Sequence, residues 1–273
     1  MAELFQRLLL ATEHTGFDAG AESVAMAMAG RCQLPLTAVL PLVSNPEYEA
    51  LAPQIAAHAE QQAAGKLAEL RAQAKAAGVT LELRLRRGEE AYREIVEEAK
   101  ALNSDLIVIR RRGKRSFLAN LLVGEMVSKV VAHAPCHVLI VPRQGAMWSR
   151  RVLAAAEPGA QGRQIVATAL AMATQCALPL HVLSVVASST QRPAAEAFVT
   201  EMLTQAQRGG VAAQGEVRVG KPFQEILSRA SDIGADLCVI GSRGDSRIGR
   251  ALVGGVAQKV MGLSEHPVLV LHL

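Results

Sequence analysis

The sequence predicts an α/β protein of two tandem Rossmann-like domains, each a five-stranded parallel sheet flanked by helices, and three observations predict it. The chain repeats itself: RLLLATEHTGFDAGAESVAMAMAGRCQLPL (residues 7–36) aligns with RVLAAAEPGAQGRQIVATALAMATQCALPL (151–180), setting Glu13 opposite Glu157, Cys32 opposite Cys176 and Pro35 opposite Pro179. Within each copy, short β-rich runs alternate with helical patterns, the order that builds a parallel sheet covered on both faces. A length of 273 residues, half of them hydrophobic, is enough for two domains of ordinary size with buried cores.

Taken in order, LLLAT (8–12) is the first strand, an apolar run closed by the polar stretch EHTG. A helix is expected over 20–31, and LTAVL (36–40) is the second strand. The alanine-rich segment 48–77 carries mixed charge and reads as one long amphipathic surface helix. VTLELRL (79–85) is the third strand and 90–102 a helix. DLIVI (105–109) is a buried fourth strand, 124–132 a helix and HVLIV (137–141) the fifth strand. The second copy repeats this order with a shorter helix near 194–208. Its Pro222 suits a first helical turn, where no backbone donor is needed. GEEAYREIVEEAKALNSDLIVI (88–109) matches GKPFQEILSRASDIGADLCVI (220–240) with one residue of slippage, and VVAHAPCHVLIVP (130–142) matches VMGLSEHPVLVLH (260–272). The expected domains are residues 1–145 and 149–273, joined around RQGAMWS (143–149). Crossovers are expected to be right-handed, with ligands beyond the carboxyl ends of the strands at the switch point.

Composition narrows the function. A net charge of +4 and a pI near 9.0 are mildly basic and favour anionic ligands. Only 3% of residues are aromatic, which argues against a nucleic-acid stacking surface, and no DNA-binding signature accompanies the basic run Arg110–Arg112, Lys114 and Arg115. No apolar run approaches the length of a membrane span, and MAELFQRLLLATEH lacks the basic start of a signal peptide, so a cytoplasmic protein with no membrane partner is expected. Cys32, Cys136, Cys176 and Cys238 read as buried reduced thiols, Cys32 and Cys176 on the core faces of helices. HAPCH (133–137) reads as a turn before an apolar strand rather than a metal site.

The glycines carry the chemistry. Neither first strand is followed by the G-x-G-x-x-G of a dinucleotide site, and no G-x-x-x-x-G-K-[ST] string occurs. Glycines instead follow the fourth strand of the second copy, in GSRGDSRIGRALVGGV (241–256). Gly241 and Gly244 either admit a ligand close to the backbone or take positive φ, and Gly254 and Gly255 open a helix whose N–H groups and dipole favour an anion. G-x-x-G, nine residues, then glycine, preceded by ADLCVI and followed by PVLVL, resembles the universal stress protein family, and the resemblance extends over nearly the whole chain as two copies. Gly241, Gly244 and Gly254 match its pattern, while Gly255 replaces a hydroxyl residue. In the first copy, RRRGKRSFLANLLVGEMV (110–127), only Gly113 and Gly124 match; Arg110 and Glu125 replace the first glycine and the hydroxyl residue.

That resemblance implies a domain that pairs as a dimer and, in one subgroup, binds ATP. It implies that Glu157 contacts the nucleoside end, that the adenine packs near Val185, and that the loop of Gly241, Ser242, Arg243, Gly244, Gly254 and Gly255 holds the phosphates with a divalent metal. It implies no strong catalytic group, hence slow or absent hydrolysis and no enzyme. The two copies are expected to pair within the chain, with further homo-oligomerisation left open. The competing reading is a nucleotide-free stress scaffold acting through contacts with other proteins. For the first copy the expectation is closure from within: Arg110 crowds the loop, and the Glu125 carboxylate stands at the helix end where a phosphate would go.

Overall fold

The computed structural model describes residues 4–13, 16–44, 46–51, 53–111, 124–242 and 253–273. They fall into two compact units that divide between Met147 and Trp148. In the first unit β1 (Leu8–Ala11), α1 (Ala19–Cys32), β2 (Leu36–Val43), α2 (Pro46–Leu51), α3 (Pro53–Ala77) and β3 (Leu81–Gly88) are followed by α4 (Ala91–Ala101), β4 (Leu106–Arg110), α5 (Glu125–His133) and β5 (His137–Val141). The second has β6 (Val152–Ala155), α6 (Ala160–Cys176), β7 (Leu180–Val186), α7 (Arg192–Arg208), β8 (Ala213–Val219), α8 (Pro222–Asp232), β9 (Leu237–Gly241), α9 (Gly255–Leu263) and β10 (Val268–Leu271).

Each unit is a mixed α/β layer structure. Strands of the first run β3-β2-β1-β4-β5 and those of the second β8-β7-β6-β9-β10, every neighbouring pair parallel within its unit. Central strands are apolar because both faces are covered: LLLA of β1 and LIVIR of β4 are buried throughout. Helix α1 packs with α3 and α4 with α5, and the second unit repeats this with α6 against α7 and α8 against α9. The chain leaves β1 for β2 on one side and reaches β4 on the other, so the switch point lies between β1 and β4, and between β6 and β9 in the second unit.

The repeat extends to the backbone. Gln33 and Ala177 close α1 and α6 in the left-handed conformation, and Gly78 with Gly210, and Asn103 with Gly234, follow the same rule at later helix ends. The Asp105 carboxylate accepts the N–H groups of Gln6 and Arg7 ahead of β1, and Asp236 accepts those of Ser149, Arg150 and Arg151 ahead of β6. The expected helix 48–77 is helical wherever it is described, in α2 and α3, and residue 52 between them lies outside the described residues. Cys32 and Cys176 are half-buried at helix ends rather than in the core, because each is the last residue of its helix. Cys136 and Cys238 are buried, and burial pushes both thiols up to about 12, so both stay protonated at neutral pH.

Candidate functional site

At the switch point of the second unit a cleft of about 370 Å³ opens over the carboxyl ends of β6, β7 and β9. Glu157 follows β6, Val185 is the next-to-last residue of β7, Gly241 ends β9, and Gly254 and Gly255 open α9; all five line this cleft. The Ser242 carbonyl accepts the Gly254 N–H at 2.9 Å, and the Ser242 N–H donates to the Leu271 carbonyl at 3.0 Å, which pins the start of α9 to the end of the sheet. Arg243 and Gly244 lie outside the described residues.

The described glycines of this loop adopt ordinary dihedrals. Gly241 is strand backbone, and Gly254 sits at φ −61°, ψ 143°, which any residue can adopt. A Cβ on Gly255 would meet nothing within 4 Å. Gly254 supplies no side-chain cap, so the positive end of α9 faces the cleft.

Sequence reasoning missed Gly162, in the first turn of α6. A Cβ there would stand 1.8 Å from the Glu157 carbonyl oxygen, so only glycine lets α6 approach the loop carrying Glu157. The repeat alignment held the signal, since Gly162 falls opposite Asp18. Pro222 and Ile226 of α8 and Val256 of α9 complete an apolar wall, and Glu157 is the ionisable side chain among the described lining residues.

The expectation for Glu125 is corrected. Its side chain is 79% exposed and pairs with Lys129 Nζ at 3.1 Å, one turn on along α5, instead of turning back over the helix end. The side chain that enters the first cleft is Arg110, 1% exposed and paired with Glu13 and Asp18.

Beneath the second cleft, on the same face of β7 as Leu183 and Val185, His181 is buried with Nε2 3.4 Å from Arg229 Nε and 3.3 Å from Glu216 Oε1. Burial holds its pKa below 6.5, the Arg229 charge lowers it further, and Glu216 opposes both. The folded protein therefore keeps His181 neutral. Below about pH 6.5 the unfolded chain takes up a proton that the native state refuses, so stability falls with pH until the lower folded value is reached. His181→Gln should flatten this decline, measured as the urea midpoint between about pH 7 and about pH 5. An unchanged slope would assign the decline to other groups.

Comparison with known proteins places this geometry in context. The model described as the universal stress protein family matches residues 4–142 and again 149–272. The universal stress protein Slr1230 of Synechocystis is 26% identical over 165 residues, 60% of this chain and 57% of that relative, so the aligned region spans little more than half of it. YxiE of Bacillus subtilis is 30% identical over 109 residues, 40% of this chain and 73% of that protein. A solved universal stress protein from Archaeoglobus fulgidus shares the fold over 98% of both chains at 19% identity, with a TM-score of 0.79.

Proposed function

Because the chain belongs to the universal stress protein family, as two tandem copies, we propose that its C-terminal unit binds ATP or another adenine nucleotide and that the protein is a cytoplasmic stress-response regulator rather than an enzyme. The observation that carries this reading is the cleft itself: Glu157, Val185, Gly241, Gly254 and Gly255, separated by up to about a hundred positions in sequence, line one cavity at the switch point. Its volume, about 370 Å³, falls in the range of small-molecule sites. In this reading Glu157 accepts from the ribose hydroxyls, the adenine packs on Val185, and the phosphates lie over the N–H groups at the start of α9. Arg243 and Gly244 extend the same loop in sequence. Gly255 offers no hydroxyl, which removes one hydrogen bond worth about 0.5–1.5 kcal/mol, or about 3 if the partner is charged; the site is weakened, not closed.

A divalent cation would be carried by the nucleotide phosphates, because no group of three or more histidine, cysteine or acidic side chains among the described residues is arranged to hold one. Hydrolysis is expected to be slow or absent, as the family resemblance implies no strong catalytic group. No helix among the described residues is long and apolar enough to cross a membrane.

Mass spectrometry of the supernatant from the denatured native protein should find an adenine nucleotide, and calorimetry of the nucleotide-free protein should give heat with ATP, ADP or AMP. Absence of both signals would leave the scaffold reading, in which the family fold serves contacts with other proteins.

A further inference from the structure

The open cleft of the second unit has a sealed twin. Nine residues surround the corresponding position of the first unit, and every one occupies a repeat position that lines the second cleft, yet the volume left is about 0 Å³ against about 370 Å³. Four of the nine are the same residue in both copies, Glu13 and Glu157 among them. Pro41 for Val185 and Met126 for Val256 exchange apolar groups, and Thr12 replaces Ala156. The remaining two exchanges bring charge where the second copy has no side chain: Arg110 for Gly241 and Asp18 for Gly162.

We propose that Arg110, Asp18 and Glu13 form an internal lock, a guanidinium held between two carboxylates, that fills the first nucleotide cleft permanently and limits the chain to one nucleotide; the stoichiometry rests on the reading of the second cleft given above. Arg110 Nη2 pairs with the Glu13 carboxylate and Nε lies 3.3 Å from Asp18 Oδ1. The Arg110 and Asp18 side chains are each 1% exposed. A planar fork is suited to bridging two acids at once, which an ammonium group is not. Each member supports the others: removing Arg110 takes a counter-charge from a buried Asp18, and removing the acids takes two from a buried Arg110. The plug is therefore a cation, and it takes the carboxylate that the second unit keeps open to its cleft.

The charge balance separates two variants. Arg110→Gly leaves a hole lined by Glu13 and Asp18, which repels phosphate and accepts a cation of the guanidinium shape. Arg110→Gly with Asp18→Gly leaves Glu13 as the acid lining the cleft, as Glu157 lines the second, and should accept the nucleotide. Glycine at Asp18 is compatible with its place ahead of α1, since glycine is a tolerated N-cap.

Two experiments test the lock. Millimolar methylguanidinium chloride should raise the melting temperature of Arg110→Gly relative to equal sodium chloride and leave the parent protein unmoved; this readout needs no nucleotide and stands even if the parent binds none. Calorimetry with ATP should then give one site in the parent and two in Arg110→Gly/Asp18→Gly, and the double variant should fall back to one site when the second cleft is blocked by Gly254→Asp. A parent that binds two nucleotides overturns the lock. So does a folded Arg110→Gly indifferent to methylguanidinium, or a folded double variant that gains no site while the parent retains its one. A parent with no site overturns the reading of the second cleft and leaves the methylguanidinium result to decide the lock.

Discussion

Gly254→Asp is expected to weaken ATP binding about a thousandfold while leaving the fold intact. Gly254 is the N-cap of α9 and lines the cleft, with backbone angles that aspartate adopts without strain. A carboxylate there accepts from the N–H groups of the first helical turn, the same donors that a phosphate would use. Stability should change by only a few tenths of a kcal/mol, since aspartate and glycine are both accepted N-caps. Binding changes far more: two like charges about 4 Å apart at a protein surface repel by about 4 kcal/mol, which is roughly three powers of ten in affinity. Gly255→Glu is the informative control. It copies Glu125, which points into solvent towards Lys129, and a side chain at Gly255 would start in open space. That variant should bind within about tenfold of the parent, given that an exposed charge pair contributes about 0–1 kcal/mol. Titration calorimetry of both reads the difference, and equal affinities would move the phosphates away from the helix end.

Lys66→Met is expected to cost about 3–5 kcal/mol of stability, the effect of stranding a buried charge. Lys66 on α3 is 9% exposed and donates to Glu22 Oε2 at 2.8 Å; Glu22 on α1 is 3% exposed and also accepts from Thr12 Oγ1 at 2.6 Å. The pair bears on a groove of about 910 Å³ between the two helices. Glu69 is a second acid near Lys66 at 3.4 Å, but it is exposed and cannot replace the lysine for Glu22. The second unit shows the apolar solution at the same positions: Ala156, Val166 and Phe198, all buried, stand where the first has Thr12, Glu22 and Lys66. Copying that set as Thr12→Ala/Glu22→Val/Lys66→Phe should therefore be neutral or stabilising by about 1–4 kcal/mol, because neither ion is then desolvated. Chemical denaturation followed by far-ultraviolet circular dichroism measures both. A single variant that loses less than about 1 kcal/mol would put the ion pair among ordinary surface pairs.

Much of the architecture was legible because it is written locally and written twice. Alternation of apolar β-rich runs with helical patterns identifies a parallel α/β layer from short windows alone. The repeat adds a check that needs no structure, since Glu13 and Glu157 coincide only if both copies share one frame.

By itself the sequence determined the α/β class, the two copies and the placing of glycines after the fourth strand of the second, all properties of neighbouring residues or of a repeat. Tertiary structure decided which side chains share a cleft. Arg110 meets Glu13 and Asp18 because β4 pairs with β1, a sheet order that no local window encodes. Gly162 is required because α6 passes against the Glu157 carbonyl, a distance set by helix-on-sheet packing. Helix-dipole logic placed a carboxylate in the first cleft at Glu125, yet a residue in the first turn of a helix projects outward, and Lys129 one turn away offered it a partner in solvent. The buried site went to the guanidinium, whose charge two acids from the neighbouring strand end and helix start could balance.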